Sequence, residues 1–218
     1  VGMNINKLLG VRYPIIQGGM ANMTNGQFAA ALSNAGVLGT IGAGGMKPDT
    51  LKEEIAICRS KTDKPFAVNL IMFRRDIEEM VDVVCEAKVP FVIAGAASPA
   101  PFMEKFEAAG VKVIPVVSSP IQIKRLDKLN VLAYIVEGME AGGHIGEMTS
   151  MTLIYQARQT TDKPVIAAGG IGSGAQMLAA EILGADGVQI GTAFLFTKES
   201  PTHENYKNAL INATATRV

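Results

Sequence analysis

The residues of this sequence that could do chemistry are concentrated in two glycine-rich stretches and one histidine. One stretch is Gly169-Gly170-Ile171-Gly172-Ser173-Gly174, and the other is the shorter Gly191-Thr192. Glycines let backbone N–H groups approach an anion without a Cβ atom in the way, and a following helix N-terminus favours negative charge. These stretches therefore either bind a phosphate group or only form tight turns, and their placement in the fold must decide between the two.

The histidine is His144, which follows Gly142 and Gly143. A loop histidine can transfer a proton near neutral pH, although a lone histidine can also be purely structural. The second histidine, His203, lies in the polar stretch 201–204, which predicts a surface position. Because the sequence has neither a histidine pair nor a Cys-x-x-Cys spacing, it predicts no metal site.

Short apolar runs alternate with longer segments of helical spacing along the whole chain. Continuous apolar runs of this length are typical of strands that are buried on both faces of a parallel sheet. Strict alternation predicts the α/β class, and eight units predict a closed (β/α)₈ TIM barrel rather than an open doubly wound sheet. Glycine C-caps are predicted at Gly36, Gly110 and Gly187. The eight runs are residues 14–16, 37–41, 66–70, 91–94, 113–117, 133–136, 165–168 and 188–191.

The barrel prediction places the active site in the loops that follow the strands. Both glycine-rich stretches then lie side by side after strands seven and eight, where barrels often bind phosphate, and this favours the phosphate interpretation. Gly18 and Gly19 after strand one would give a flat ring room against the backbone. Asn69, at the predicted end of strand three, could pair with the polar edge of such a ring or only cap a turn. Glu137, after strand six, could accept a ligand hydrogen bond or pair with a lysine or arginine.

Charge and length exclude several other classes. The 218 residues carry 20 Lys and Arg against 20 Asp and Glu, so no net field recruits nucleic acid or an anionic membrane. No apolar run approaches the roughly 20 residues that span a bilayer, and no secretory signal opens the chain. We therefore expect one cytoplasmic domain over residues 3–218.

Taken together, these motifs resemble the nitronate monooxygenase superfamily over essentially the whole chain. The resemblance rests on residues 17–20, Asn69, residues 140–144, residues 168–171 and residues 189–192. Within the superfamily, residues 144–152 and 198–200 are most similar to bacterial enoyl-acyl carrier protein reductase II. Members are generally longer, so the resemblance implies that the C-terminal part of the family pattern, including a lid, is absent from this chain.

The resemblance implies an enzyme that binds FMN, takes a hydride from NADH or NADPH, and reduces trans-2-enoyl thioesters on acyl carrier protein in fatty-acid synthesis. It implies that His144 is catalytic. The resemblance is also compatible with a bound monovalent cation and with a homodimer. The residues expected to hold the FMN are Gly18, Gly19, Met20, Asn69, Glu137, Gly142, Gly143, Gly169, Gly170, Gln189, Ile190, Gly191 and Thr192.

Two alternatives stay open at this point. A nitronate monooxygenase would oxidise alkyl nitronates with FMN and O₂, and His144 would then be the base that abstracts a substrate proton. A barrel that binds phosphate or flavin without catalysis is the third possibility.

Overall fold

Eight parallel strands form a barrel in the computed structural model, which describes residues 2–143 and 146–213. The strands are hydrogen-bonded in the order β1-β8-β7-β6-β5-β4-β3-β2. The eight apolar runs of the sequence therefore all become strands, and the predicted (β/α)₈ barrel is confirmed. The strands are β1 (Ile15–Gln17), β2 (Gly39–Gly42), β3 (Phe66–Ile71), β4 (Phe91–Gly95), β5 (Lys112–Val117), β6 (Tyr134–Glu137), β7 (Val165–Ala168) and β8 (Gly187–Ile190).

The barrel closes between β1 and β2 through a side chain as well as through backbone. Ile16 of β1 forms an isolated parallel bridge with Leu38, the residue directly before β2. The fully buried Gln17 side chain accepts a hydrogen bond of 2.8 Å from the Thr40 N–H and donates to the Gly18 carbonyl. The Gln17 side chain thus replaces the next backbone hydrogen bond between β1 and β2, because buried backbone groups need partners.

Helices follow the strands and cover the outside of the barrel. None of the described helices combines the length and the hydropathy needed to cross a membrane. They are α1 (Ile5–Leu9), α2 (Gly26–Ala35), α3 (Pro48–Lys61), α4 (Ile77–Glu86), α5 (Met103–Ala109), α6 (Pro120–Leu126), α7 (Ser150–Arg158), α8 (Gly174–Ile182), α9 (Thr192–Leu195) and α10 (Glu204–Ile211).

The core has two parts, as alternation along buried strands requires. Inward-facing residues such as Ile93, Ile135 and Ile166 fill the barrel, while outward-facing residues pack against the helices. Helix α1, which the apolar pattern did not predict, closes the N-terminal end of the barrel by inserting the buried Ile5 and Leu9. The opposite end, where the strands finish, remains available for a site.

Two local predictions differ from the structure. Strand β3 continues to Ile71, so Asn69 lies within the strand and does not cap a turn. Gly36 and Gly110 are left-handed C-caps as predicted, but at the third joint the left-handed glycine is Gly184, with φ 102°, and not Gly187. Gly187 instead begins β8 beside Ile5, where a Cβ atom would lie 2.3 Å from the isoleucine Cγ2.

Candidate active site

A cavity of about 760 Å³ lies at the C-terminal ends of the strands. This volume falls in the range of about 300–1,000 Å³ that is usual for ligand and cofactor sites. Ile190 does not line it, because its side chain faces outward and packs against the outer core. His144 lies outside the described residues. The other predicted residues all line the cavity, namely Gly18, Gly19, Met20, Asn69, Glu137, Gly142, Gly143, Gly169, Gly170, Gln189, Gly191 and Thr192.

Backbone forms one wall of this cavity at Gly18 and Gly19. A Cβ atom at Gly19 would lie 2.5 Å from the Asn69 Cβ and 3.0 Å from the Thr40 Cγ2, so a side chain there is excluded. A Cβ atom at Gly18 would meet the Gly191 Cα at 3.5 Å. The wall therefore presents a side-chain-free surface, against which a planar ring can lie.

The loop after β7 presents its glycines in conformations that other residues avoid. Gly169 has φ 100° and Gly170 has φ 69°, both in the left-handed region. A Cβ atom at Gly172 or Gly174 would meet no atom within 4 Å, so these two glycines border open space. Over the described residues, the N–H groups of Gly170 and Thr192 donate to no other group, and no side chain caps α9. These N–H groups are free to bind an anion.

The same loop is organised by Gln176, which the sequence analysis missed. Its amide nitrogen donates to the Gly170 carbonyl at 2.6 Å, and its amide oxygen accepts from the Gly172 N–H and the Ser173 hydroxyl, both at 2.9 Å. Ser173 in turn accepts from the Gln176 N–H. The signal was present, because Ser173 and Gln176 have the Ser-x-x-Gln spacing of a capping box.

The loop after β6 carries His144, and its two ends are tied together. The Met139 N–H donates to the Met148 carbonyl at 2.8 Å. The Glu140 carboxylate accepts 2.9 Å hydrogen bonds from both the N–H and the hydroxyl of Ser150, the first residue of α7. The Ser150 hydroxyl also donates to the Gly169 carbonyl at 3.1 Å, so Ser150 connects the loop after β6 to the loop after β7. Ser150 is the second site residue that the sequence analysis missed.

Two carboxyl groups line the cavity, and their pKa values are shifted in opposite directions. Burial raises the pKa of Glu137 to about 7, and this carboxyl forms no ion pair with a described residue. The predicted alternative of a pairing with lysine or arginine is therefore not observed over the described residues. Burial alone would also raise the pKa of Glu140, but the hydrogen bonds from Ser150 outweigh burial and hold it below its ordinary value. Glu137 can thus hold or release a proton near neutral pH, whereas Glu140 stays ionised.

These pKa shifts predict opposite stability changes for two matched variants. Between about pH 4.5 and pH 7 the folded protein binds the Glu137 proton more tightly than the unfolded chain does, so stability falls as pH rises. We expect Glu137→Gln to raise the free energy of unfolding at pH 8 by about 2 kcal/mol, or the Tm by roughly 4–8 °C. At pH 4.5 the variant and the wild type should be nearly equal.

Glu140→Gln is the control, since it makes the same chemical change three residues away in the lining of the same cavity. Its lowered pKa stabilises the folded state above the ordinary carboxyl pKa, and this stabilisation is lost as pH falls through the folded value. The Tm of this variant should therefore fall at pH 8 and recover toward that of the wild type in acid. Thermal unfolding of the ligand-free proteins at both pH values measures this. A loss of stability at pH 8 for Glu137→Gln would mean that Glu137 is paired.

A second cavity of about 500 Å³ adjoins the first. The two share Ala96, Val116 and Glu137 as a common wall. Over the described residues, no group of three His, Cys, Asp or Glu side chains is placed to hold a metal ion.

Comparison with known proteins identifies the same ancestry from sequence and from structure. The profile of the nitronate monooxygenase family matches residues 3–82 and 75–218. The chain is 35% identical to the probable nitronate monooxygenase of Staphylococcus saprophyticus over 94% of this chain and 71% of that protein. It is 33% identical to a Rhodococcus jostii dehydrogenase named for a hydroxy-methyl-oxo-octahydroindene carboxyl-CoA, over 94% of this chain and 58% of that protein.

Among solved structures, FabK from Thermotoga maritima, an enoyl-acyl carrier protein reductase II, superposes with a TM-score of 0.95. The two sequences are 44% identical, and the alignment covers 98% of this chain and 69% of that chain.

Proposed function

Because the chain belongs to the nitronate monooxygenase family and is a flavin-dependent oxidoreductase, we propose that it uses FMN and NADH or NADPH to reduce the trans-2 double bond of enoyl thioesters. The observation that carries this choice is the 44% identity to FabK over nearly the whole chain, compared with 35% to the probable nitronate monooxygenase. The proposed substrate is the enoyl thioester on acyl carrier protein, as in fatty-acid synthesis. The proposed location of this protein is the cytoplasm.

The residues present fit an FMN. The Gln189 amide oxygen is buried and has no partner over the described residues, which suits a ring N–H donor. The side-chain-free wall at Gly18 and Gly19 would lie against the ring, with the Asn69 amide at its polar edge. The free N–H groups of Gly170 and Thr192 would bind the phosphate. Met20, Glu137, Gly142, Gly143, Gly169 and Gly191 complete the proposed contacts. Ile190 is not among them, because its side chain packs outward and its carbonyl accepts the Gly18 N–H; it only positions Gln189 and Gly191 on either side of it.

When bound, the flavin supplies hydride transfer, and this chain supplies orientation and the proton. His144 is proposed to hold the proton that the thioester α-carbon receives. Glu137, at the common wall of the two cavities, can hold a further proton at neutral pH. Glu140 and Ser150 fix both ends of the His144 loop relative to the phosphate-binding loop.

Nitronate oxidation is the second candidate, favoured by the family match and by the Staphylococcus relative. In that reaction His144 would remove a proton from the substrate. The non-catalytic alternative is set aside because the family is one of enzymes. A monovalent cation and a homodimer remain expectations from the resemblance alone.

One anaerobic experiment separates the two activities. In one arm the protein is loaded with FMN, its visible absorbance is bleached with NADH or NADPH, and a crotonyl thioester is then added. In the other arm an alkyl nitronate, which is an electron donor, is added to the protein with its flavin still oxidised. We expect NAD(P)H to bleach the flavin and the crotonyl thioester to restore the colour, whereas the nitronate should leave the absorbance of the oxidised flavin unchanged. If NAD(P)H does not bleach the flavin but an aerobic mixture consumes nitronate, nitronate oxidation is correct and the reductase proposal is wrong.

A further inference from the structure

The second cavity has features that the proposed reaction centre does not use. It runs from the barrel mouth along α6, between that helix and the loop after β4. We propose that this cavity binds the phosphopantetheine arm of a thioester substrate, and that Arg125 and Lys128 bind the phosphate of that arm. The proposal rests on the proposed thioester reduction and names the part of the substrate that this chain recognises.

The second cavity leads to the place where the reacting end of the substrate would lie. It shares Ala96, Val116 and Glu137 with the cavity proposed for the flavin. Gly146, two residues after His144, packs tightly against Ser118 in its wall, since a Cβ atom there would lie 2.5 Å from the Ser118 Cβ. A thioester held in the second cavity would therefore present its acyl end where the two cavities meet.

The lining of the second cavity suits a chain of methylene and amide groups. Most of it is apolar, with Val117, Leu126 and Leu129 along one side. The hydroxyl groups of Ser98 and Ser118 also line the cavity and can bond amide groups. An extended arm of methylene and amide groups matches such a surface, because each polar group needs a partner once it leaves water.

The second cavity also carries positive charge in its lining. Arg125 and Lys128 line the cavity and form no ion pair with a described residue, whereas Glu137 supplies the only acidic group of the described lining. Helix α6 runs back from the mouth, and at about 1.5 Å per residue Arg125 lies roughly 8 Å along the axis from Pro120. The positive charges thus lie away from the reacting end, as the phosphate of an arm does relative to its thioester.

The test compares two substrates that differ only in this phosphate, crotonyl-phosphopantetheine and crotonyl-pantetheine. We expect the FMN-loaded wild type to have a KM about tenfold lower for the phosphorylated substrate, an advantage that declines with added salt. Arg125→Glu and Lys128→Glu should each remove most of this advantage and leave the KM for crotonyl-pantetheine unchanged. Both side chains are exposed, so the variants should fold. Calorimetric binding of unacylated phosphopantetheine gives a readout that is independent of turnover.

Lys124→Glu is the matched control, because Lys124 is exposed on the same helix but does not line the cavity. It should retain the full phosphate advantage. Equal KM values for the two substrates in the wild type, or an equal loss in all three variants, would overturn the proposal. An enzyme that reduces neither substrate would overturn the proposed function instead. Crotonyl-CoA and crotonyl-acyl carrier protein, run as further arms, identify the preferred carrier, and either preference supports a phosphopantetheine site.

Discussion

Gly170→Asp is expected to purify without flavin, whereas the wild type should purify yellow. The substitution adds a negative charge beside N–H groups that we propose bind the FMN phosphate. Hydrogen bonds to charged groups contribute about 1.5–3 kcal/mol each, so losing them and adding repulsion should weaken FMN binding at least 100-fold. Flavin fluorescence titration of the ligand-free proteins measures the two dissociation constants.

Two neutral variants separate charge from shape in this experiment. Gly170→Ala adds only a Cβ atom, which would lie 3.2 Å from the Glu140 Cβ in a left-handed backbone, so it should lose part of the affinity. Gly174→Ala, where a Cβ atom meets nothing within 4 Å, should bind FMN as the wild type does. Wild-type affinity in a folded Gly170→Asp variant would show that the phosphate does not bind this loop.

The sequence predicted the barrel well because buried parallel strands leave a strong local signal. Each strand is a short apolar run between turn residues, and register then follows from the requirement to close the sheet. The ends of elements were harder to predict. Asn69 lies inside β3, since pairing with β4 extends that strand to Ile71, and this pairing is a tertiary effect. Helix α1 is only five residues long, and its apolar side chains are buried only by packing against the N-terminal end of the barrel, which is again a tertiary effect.

The site was predictable in its backbone and less so in its supporting side chains. Glycines at strand ends are visible in the sequence, and the structure brings them to one cavity. Ser150 lies ten residues beyond Glu140, and nothing in that spacing indicates that its hydroxyl contacts two neighbouring loops. The second cavity depends on how α6 packs beside the loop after β4, and no local pattern encodes that packing.

His144→Ala should separate the two halves of the proposed reaction. Bleaching of the flavin by NAD(P)H requires alignment but no protein acid, so its rate should be nearly unchanged. Return of the colour with crotonyl thioester also requires a proton at the α-carbon. A positioned acid contributes about 10² to 10⁴ in rate, or roughly 3 to 5 kcal/mol of barrier, and this second rate should fall by that factor. Stopped-flow absorbance measures both rates on one sample.

The other histidine provides the control for this variant. His203 is exposed and accepts a 3.1 Å hydrogen bond from the Asn205 N–H at the start of α10, so His203→Ala removes a helix cap and should lower stability by about 1 kcal/mol. It should change neither rate, because a cap on α10 supplies no proton to the cavity. If His144→Ala slows both halves equally, the residue supports the structure of the site; if it slows neither, the proton comes from another group. In that last case Glu137 becomes the candidate to test, since it lines both cavities and its raised pKa of about 7 allows it to donate at neutral pH.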